Sequence, residues 1–318
     1  MRIVYIYREY FNRRKKYGEI MTQLGHEVKY IEVKNKRTPN QVSLKAISSF
    51  KPDLVWLLSA FYVKNKVLSP KVMDYIKSKK ILLAFYGTLD TQTPYNKDTF
   101  WNQFDFCFVQ NKQLYNYLKV LGLNAHYIPL GFHPDQYFPT NKSIEKPISI
   151  SFAGHAQTYV RGAKNDKRVT YIKALESFGI KTFGKKFDKK GVKSSNYSKH
   201  KQQRAIYNRS KINLDLPFIN SPLDFYKNVY HIKNRFFEIP ATNNFLMTVR
   251  CPEFTDIFDE SMVGYFEDNI KSIKHEVERY LKDKNLREKK TKLAYKETVN
   301  KHTFYLRFKK MFEIIRGS

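Results

Sequence analysis

The 318-residue chain has little with which to crosslink itself. It has two cysteines, Cys107 and Cys251, too few for a disulfide framework or a cysteine-based zinc site. They fit a reducing compartment. No run of about 18 apolar residues occurs, which excludes a spanning helix. Met1 to Tyr7 reads as a short strand and lacks the apolar stretch and small-residue cleavage site of a secretory signal. There is no internal repeat and no low-complexity tract. Acidic residues are scarce beside basic ones, 29 Asp and Glu against 58 Lys and Arg, for a formal net charge of +29. These features predict a cytoplasmic protein, at most peripheral at the inner membrane face.

The hydrophobic fraction is 42% and the aromatic fraction 16%, enough for packed cores, so a fully disordered chain is excluded. The length fits two domains. An excess of positive charge favours a polyanion: nucleic acid, an anionic membrane face or phosphorylated metabolites. The same abundance of Lys, Asn, Ile and Tyr is also what an AT-rich genome encodes. Residues 161–211 are locally basic, with sixteen Lys or Arg against Asp166, Glu176 and Asp188.

Hydrophobic periodicity gives the organisation. Up to about residue 130, short apolar runs (2–7, 27–33, 53–58, 81–86, 106–109 and 125–128) alternate with segments of helical spacing. That pattern predicts βαβ units and a parallel sheet. Pro134 to Pro147 has three prolines and no periodicity and reads as an interdomain linker. A second alternation follows, with strands predicted at 148–153, 181–183, 212–216, 245–249 and 263–266. Helices are predicted at 168–178, 202–210, 236–242 and 270–281, and a basic loop at 185–201. The predicted fold is α/β, with two Rossmann-like doubly wound domains, 1–140 and 147–318, facing across a cleft. The stripe Phe304, Phe308, Met311, Phe312 and Ile315 predicts a final helix that packs back on the N-terminal domain. GT-B glycosyltransferases, periplasmic binding proteins and others share this architecture.

One segment narrows the choice. Lys233-Asn234-Arg235-Phe236-Phe237-Glu238-Ile239-Pro240-Ala241 resembles the R-x-F-E-I-x-A motif of the CgeB/YkvP-like, spore-maturation-type glycosyltransferases, which sit within the GT-B group 1 superfamily. Other pieces agree in order: Tyr127 to Gly131, Ile150 to Gly154, Arg168, Tyr207 to Leu214, and Asn300 to Phe304 through Arg307. The resemblance covers most of the chain. It implies transfer of a sugar from a nucleotide-diphosphate sugar, a UDP-sugar by family frequency, with no cofactor and no metal. The chain has no Asp-x-Asp motif.

The implied donor site is Gly154, His155, Arg168, Tyr230, Arg235 and Glu238. A ribose diol needs a carboxylate that accepts two hydrogen bonds, as Glu238 can. A diphosphate needs cations, and Arg235 has the bidentate fork. Gly154 at a strand end allows close backbone approach. Without the resemblance, Glu238 reads as a helix-start carboxylate, Arg235 as a solvated charge and Gly154 as a turn glycine. Retaining relatives often carry a glutamate eight positions before the second one; here that position is Tyr230. Asp90, after the fourth strand, is the candidate catalytic base, with turn capping as the alternative. Arg8, Glu9 and Tyr10 are candidate acceptor contacts. The acceptor expected is an envelope or spore-coat glycan approached at an anionic membrane surface. DNA glucosylation and non-enzymatic polyanion binding are the alternatives, and no DNA-binding motif favours nucleic acid.

Overall fold

The computed structural model describes residues 1–7, 14–33, 42–58, 67–87, 101–140, 145–156, 166–196, 200–218 and 230–317. The chain divides into two compact units, Met1–Pro129 with Phe304–Ser318, and Leu130–Thr303.

In the first unit, β1 (Arg2–Tyr7), β2 (Glu27–Glu32), β3 (Leu54–Leu57), β4 (Leu82–Gly87), β5 (Phe106–Val109) and β6 (Ala125–Tyr127) form one parallel sheet in the order β2-β1-β3-β4-β5-β6. Every residue of β3 and β5 is buried, as expected of parallel strands covered on both faces. Helices α1 (Arg14–Gln23), α2 (Leu44–Ser48), α3 (Pro70–Ser78) and α4 (Lys112–Val120) lie between the strands in sequence. Ser69 caps α3 ahead of Pro70, and Asn111 caps α4, each side chain satisfying a backbone N–H that the helix start leaves open. The C-terminal helix, Phe304–Arg316, completes this unit. Its Phe308 ring lies 5.6 Å from Trp56 and 5.3 Å from Tyr17, and Phe312 lies 4.1 Å from His26.

The second unit repeats the plan. Its strands are β7 (Ile148–Ala153), β8 (Ile180–Phe183), β9 (Ser194–Ser195), β10 (Ser210–Asp215), β11 (Leu246–Val249) and β12 (Gly264–Phe266), all parallel, in the order β12-β11-β10-β7-β8-β9. Helices α5 (Lys167–Ala174), α6 (His200–Asn208), α7 (Arg235–Ala241), α8 (Pro252–Thr255), α9 (Ile270–Lys282) and α10 (Lys284–Lys301) accompany them; the C-terminal helix is then α11. After β7 the chain runs to β8 on one side and returns to β10 on the other. The β7/β10 boundary is therefore the switch point, where such sheets bind ligands beyond their carboxyl ends.

Four local expectations change. The stretch after Pro134 is tied down: Tyr137 is buried, and its hydroxyl donates to Gln203 Oε1 at 2.8 Å and lies 3.1 Å from His200 Nδ1. The helix predicted to reach residue 178 stops at Ala174, and a 3₁₀ turn, Glu176–Phe178, follows before Gly179 takes φ +73°. The basic loop holds a second 3₁₀ turn, Asp188–Lys190, and the two-residue strand β9. Helix α10 has no predicted counterpart. It carries no continuous apolar stripe, and its buried positions include Arg287, Lys290, Thr291 and Thr298.

Candidate functional site

The carboxyl ends of β7 and β10 are joined by two arginines. Arg235 opens α7 and donates through Nε to the Asp215 carboxylate, which closes β10, and through Nη1 to Ala153 O at 2.8 Å, which closes β7. Its guanidinium lies 5.0 Å from the Phe152 ring centroid. Gly154 is required by this contact. A Cβ there would stand 2.5 Å from Arg235 Nη1 and 2.8 Å from the Phe152 ring. Gly184 is required for a second reason: it sits at φ +147°, and a Cβ would meet Gly154 O at 1.6 Å. The turns after β7 and β8 thus touch backbone to backbone.

Arg168 ties the loops just beyond. Asp166 caps α5, accepting from the Arg168 N–H at 3.2 Å. The Arg168 guanidinium then donates to Leu216 O at 2.9 Å, Phe218 O at 2.8 Å and His155 O at 3.1 Å. Only 5% of the residue is exposed. Burial and the neighbouring Arg235 push its pKa down to about 10. Arg168 is therefore a clamp on three backbone carbonyls. His155 Nδ1 accepts from the Lys185 N–H at 2.9 Å, so the neutral ring carries its proton on Nε2. Burial, then Lys185 and Arg235, lower its pKa.

Lys233 was not singled out by sequence. It is partly buried, and among the described residues its side-chain amine makes no hydrogen bond or ion pair. Burial, Arg168 and Arg235 push its pKa down to about 7, opposed by Asp215. His231 is held well below its ordinary value by burial, Lys233 and Arg168. The bases of this cluster push one another toward deprotonation. Asp215 is fully buried, and its Oδ2 has no hydrogen-bond partner among the described residues. The edge carries an excess of positive potential that a bound anion would relieve.

Glu238 lies on α7 one turn beyond Arg235 and is 1% exposed. Tyr230 sits beside the Arg168-held segment, bridged to Phe218, and its hydroxyl donates to Asp268 Oδ2 at 2.6 Å. Tyr171 donates to the other Asp268 oxygen at 2.6 Å, and Lys167 also pairs with Asp268. Burial raises the Asp268 pKa, but hydrogen bonds from Lys167, Tyr171 and Tyr230 outweigh it and hold the carboxylate below its usual range. Asp268 follows β12 and was also missed by sequence. The structure thus gathers Gly154, His155, Arg168, Tyr230, Arg235 and Glu238 at one edge of one sheet. Asp90, Arg8, Glu9 and Tyr10 lie outside the described residues. Among the described residues no three His, Cys, Asp or Glu side chains are grouped to hold a metal ion, and no helix is long and apolar enough to cross a membrane.

Comparison with known proteins places the fold. Residues 167–313, which include most of the cluster, match a family model described as glycosyl transferase-like. Sucrose-phosphate synthase from Thermosynechococcus elongatus superposes with a TM-score of 0.70 at 10% identity, covering 100% of both chains. HepE from Anabaena, in complex with UDP-glucose, superposes with a TM-score of 0.67 at 9% identity, again over 100% of both. The chain has the GT-B fold. A glycosyltransferase from Rickettsia africae superposes with a TM-score of 0.69 at 11% identity, covering 98% of this chain and 97% of the other. No curated protein matches by sequence. Within this GT-B chain, the residues missed by sequence had faint signals. Asp215 ends an apolar strand, and Lys233 stands two positions before Arg235. Asp268 is one more acid on a surface-like segment, 97 positions from Tyr171.

Proposed function

We propose that the protein is a metal-independent glycosyltransferase that takes a UDP-sugar and glycosylates an envelope or spore-coat glycan, in the manner of the CgeB/YkvP-like enzymes. It would work in the cytoplasm, against the anionic inner membrane face. The observation that carries this reading is the gathering of three cations, Arg168, Lys233 and Arg235, at the β7/β10 switch point, with Arg235 bound to the Asp215 carboxylate and Arg168 and Lys233 both held below their ordinary pKa. The UDP-glucose complex of HepE supports uracil as the base.

In the reaction, the acceptor oxygen bonds to the anomeric carbon of the donor. The bond from that carbon to the β-phosphate oxygen breaks, and its electron pair leaves with the nucleoside diphosphate. Lys233 and Arg235 offset the charge that develops on that oxygen, the role positioned cations fill in transition-state stabilisation. Glu238 accepts from the ribose hydroxyls. Tyr230 and Asp268 border the donor on the β12 side. The acceptor proton goes to Asp90, a role that rests on the sequence alone.

The test is a panel of nucleotide sugars with EDTA present, read by thermal shift and by nucleotide release. One donor at about 100 times its Kd stabilises the fold by about 2.7 kcal/mol. Lys233→Met and Glu238→Gln abolish the shift. A flat response to every donor, with tight and salt-sensitive DNA binding, would establish a polyanion-binding protein instead.

A further inference from the structure

The amino ends of the second sheet hold a cavity that the donor site does not use. Pro147 precedes β7, Lys211 lies at the start of β10 and Phe245 precedes β11; these residues line a space of about 740 Å³. The Arg168, Lys233 and Arg235 cluster lies at the opposite edge. Six residues of β7 at about 3.3 Å each set the two edges roughly 20 Å apart.

The cavity wall is unbalanced in charge. Lys284 pairs with Glu288 at 3.7 Å. Among the described residues, Lys146, Lys211, Arg287 and Lys292 then face Glu145 alone. Among the described residues, the Lys211 and Lys292 ammonium groups make no hydrogen bond or ion pair. Arg287, 8% exposed, donates to the carbonyls of Tyr280 and, at 3.2 Å, Leu281. Lys146 donates to Asn244 Oδ1 at 2.7 Å. Asn244 is itself fixed through Nδ2 to Asn208 Oδ1 at 2.7 Å and to Thr242 O at 2.8 Å. Burial and Arg287 lower the Lys146 pKa. A fixed amide network, a seated ammonium and two unneutralised lysines at the rim amount to a preformed polar receptor, with Phe245 and Pro147 as apolar surface.

We propose that this cavity is a second ligand site, for a small phosphate ester of sugar-phosphate size. Its volume lies in the range of small-molecule sites. Its concavity fits a compact ligand better than a duplex or a bilayer. Lys211, Lys292 and Lys146 take the phosphate, and the amides and Phe245 take the hydroxylated body. The proposal does not depend on the donor-site reading, because the two sites share no residue.

The test is residue-resolved acylation of lysines in the full chain, read by mass spectrometry, with ribose 5-phosphate as probe and ribose and inorganic phosphate as controls. At four times Kd, ribose 5-phosphate slows Lys146, Lys211 and Lys292 about fivefold and leaves the exposed Lys77 and Lys310 unchanged. By calorimetry, Lys211→Glu with Lys292→Glu weakens binding at least about tenfold without moving Tm. Lys233→Met, which removes the donor-site amine, leaves ribose 5-phosphate binding intact. Equal protection of Lys77, binding no tighter than inorganic phosphate, binding that survives the double charge reversal, or protection by anionic vesicles but not by ribose 5-phosphate overturns the proposal.

Discussion

On the proposed donor-site reading, Lys233 makes the pH dependence of UDP binding predictable. In the free protein it titrates at about 7, so at pH 8 roughly nine molecules in ten carry it neutral. A diphosphate that binds beside the charged amine first restores the proton. The pKa is depressed when free and raised when bound, so affinity is greatest below pH 7 and lost as pH rises. The observed Kd scales as one plus a tenfold factor per pH unit above 7. It stands at about twice its floor at pH 7, about elevenfold at pH 8 and about a hundredfold at pH 9. His155 and His231, held below the ordinary imidazole value, exchange protons only in more acidic solution, so pH 8 isolates the lysine. Calorimetry of UDP binding at pH 8, in two buffers of different ionisation enthalpy, is expected to show uptake of about 0.9 proton. Lys233→Arg keeps its charge across the range and is expected to flatten the Kd profile and abolish the uptake. No uptake in the wild type, or the same uptake in Lys233→Arg, refutes the reasoning.

Other expectations follow from the same geometry. Gly154→Ala drives a methyl against Arg235 Nη1, so UDP affinity falls at least about tenfold while stability falls only about 1–3 kcal/mol, as for other overpacked sites; calorimetry and urea unfolding separate the two. Asp268→Asn and Tyr230→Phe are coupled through one hydrogen bond, and a double-mutant cycle on unfolding is expected to return about 0.5–3 kcal/mol of interaction. His26 is buried, and burial, the N-terminal amine and Arg316 lower its pKa to about 4. Its contribution is constant above about pH 6.5 and lost as pH falls toward 4, by about 3 kcal/mol. Urea midpoints of the wild type and His26→Phe therefore diverge on acidification.

The central strands were legible because they are buried on both faces and read as apolar runs, and the amphipathic helices between them carry stripes. Helix α10 was not, because it buries polar groups: Lys290 Nζ reaches Glu260 O and, at 3.2 Å, Val263 O, so a buried position looks like a solvated one. At the site, the segment from Lys233 to Ala241 pointed to Arg235 and Glu238. It did not reveal that Arg235 spends its Nε on Asp215, or that Arg168 holds carbonyls. Those pairings span 20 and 48 positions and exist only once β7 and β10 lie side by side. Lys233 was hidden by company: among 58 basic residues no sequence pattern marks the amine whose surroundings shift its pKa.

The assignment of α11 to the first unit has a consequence for biosynthesis. The second unit is inserted within the first, and the ribosome finishes it before it has made the helix that brings Phe308 and Phe312 to Trp56 and His26. Domains are usually completed from the amino end; here that order is reversed. The nascent first unit emerges early, with its aromatic surface uncovered, and waits for residues 304–316. A nonsense change after Thr303 leaves the complete second unit attached to an amino-terminal half that cannot close its core, a product for the quality-control machinery and a poor candidate for a truncated enzyme.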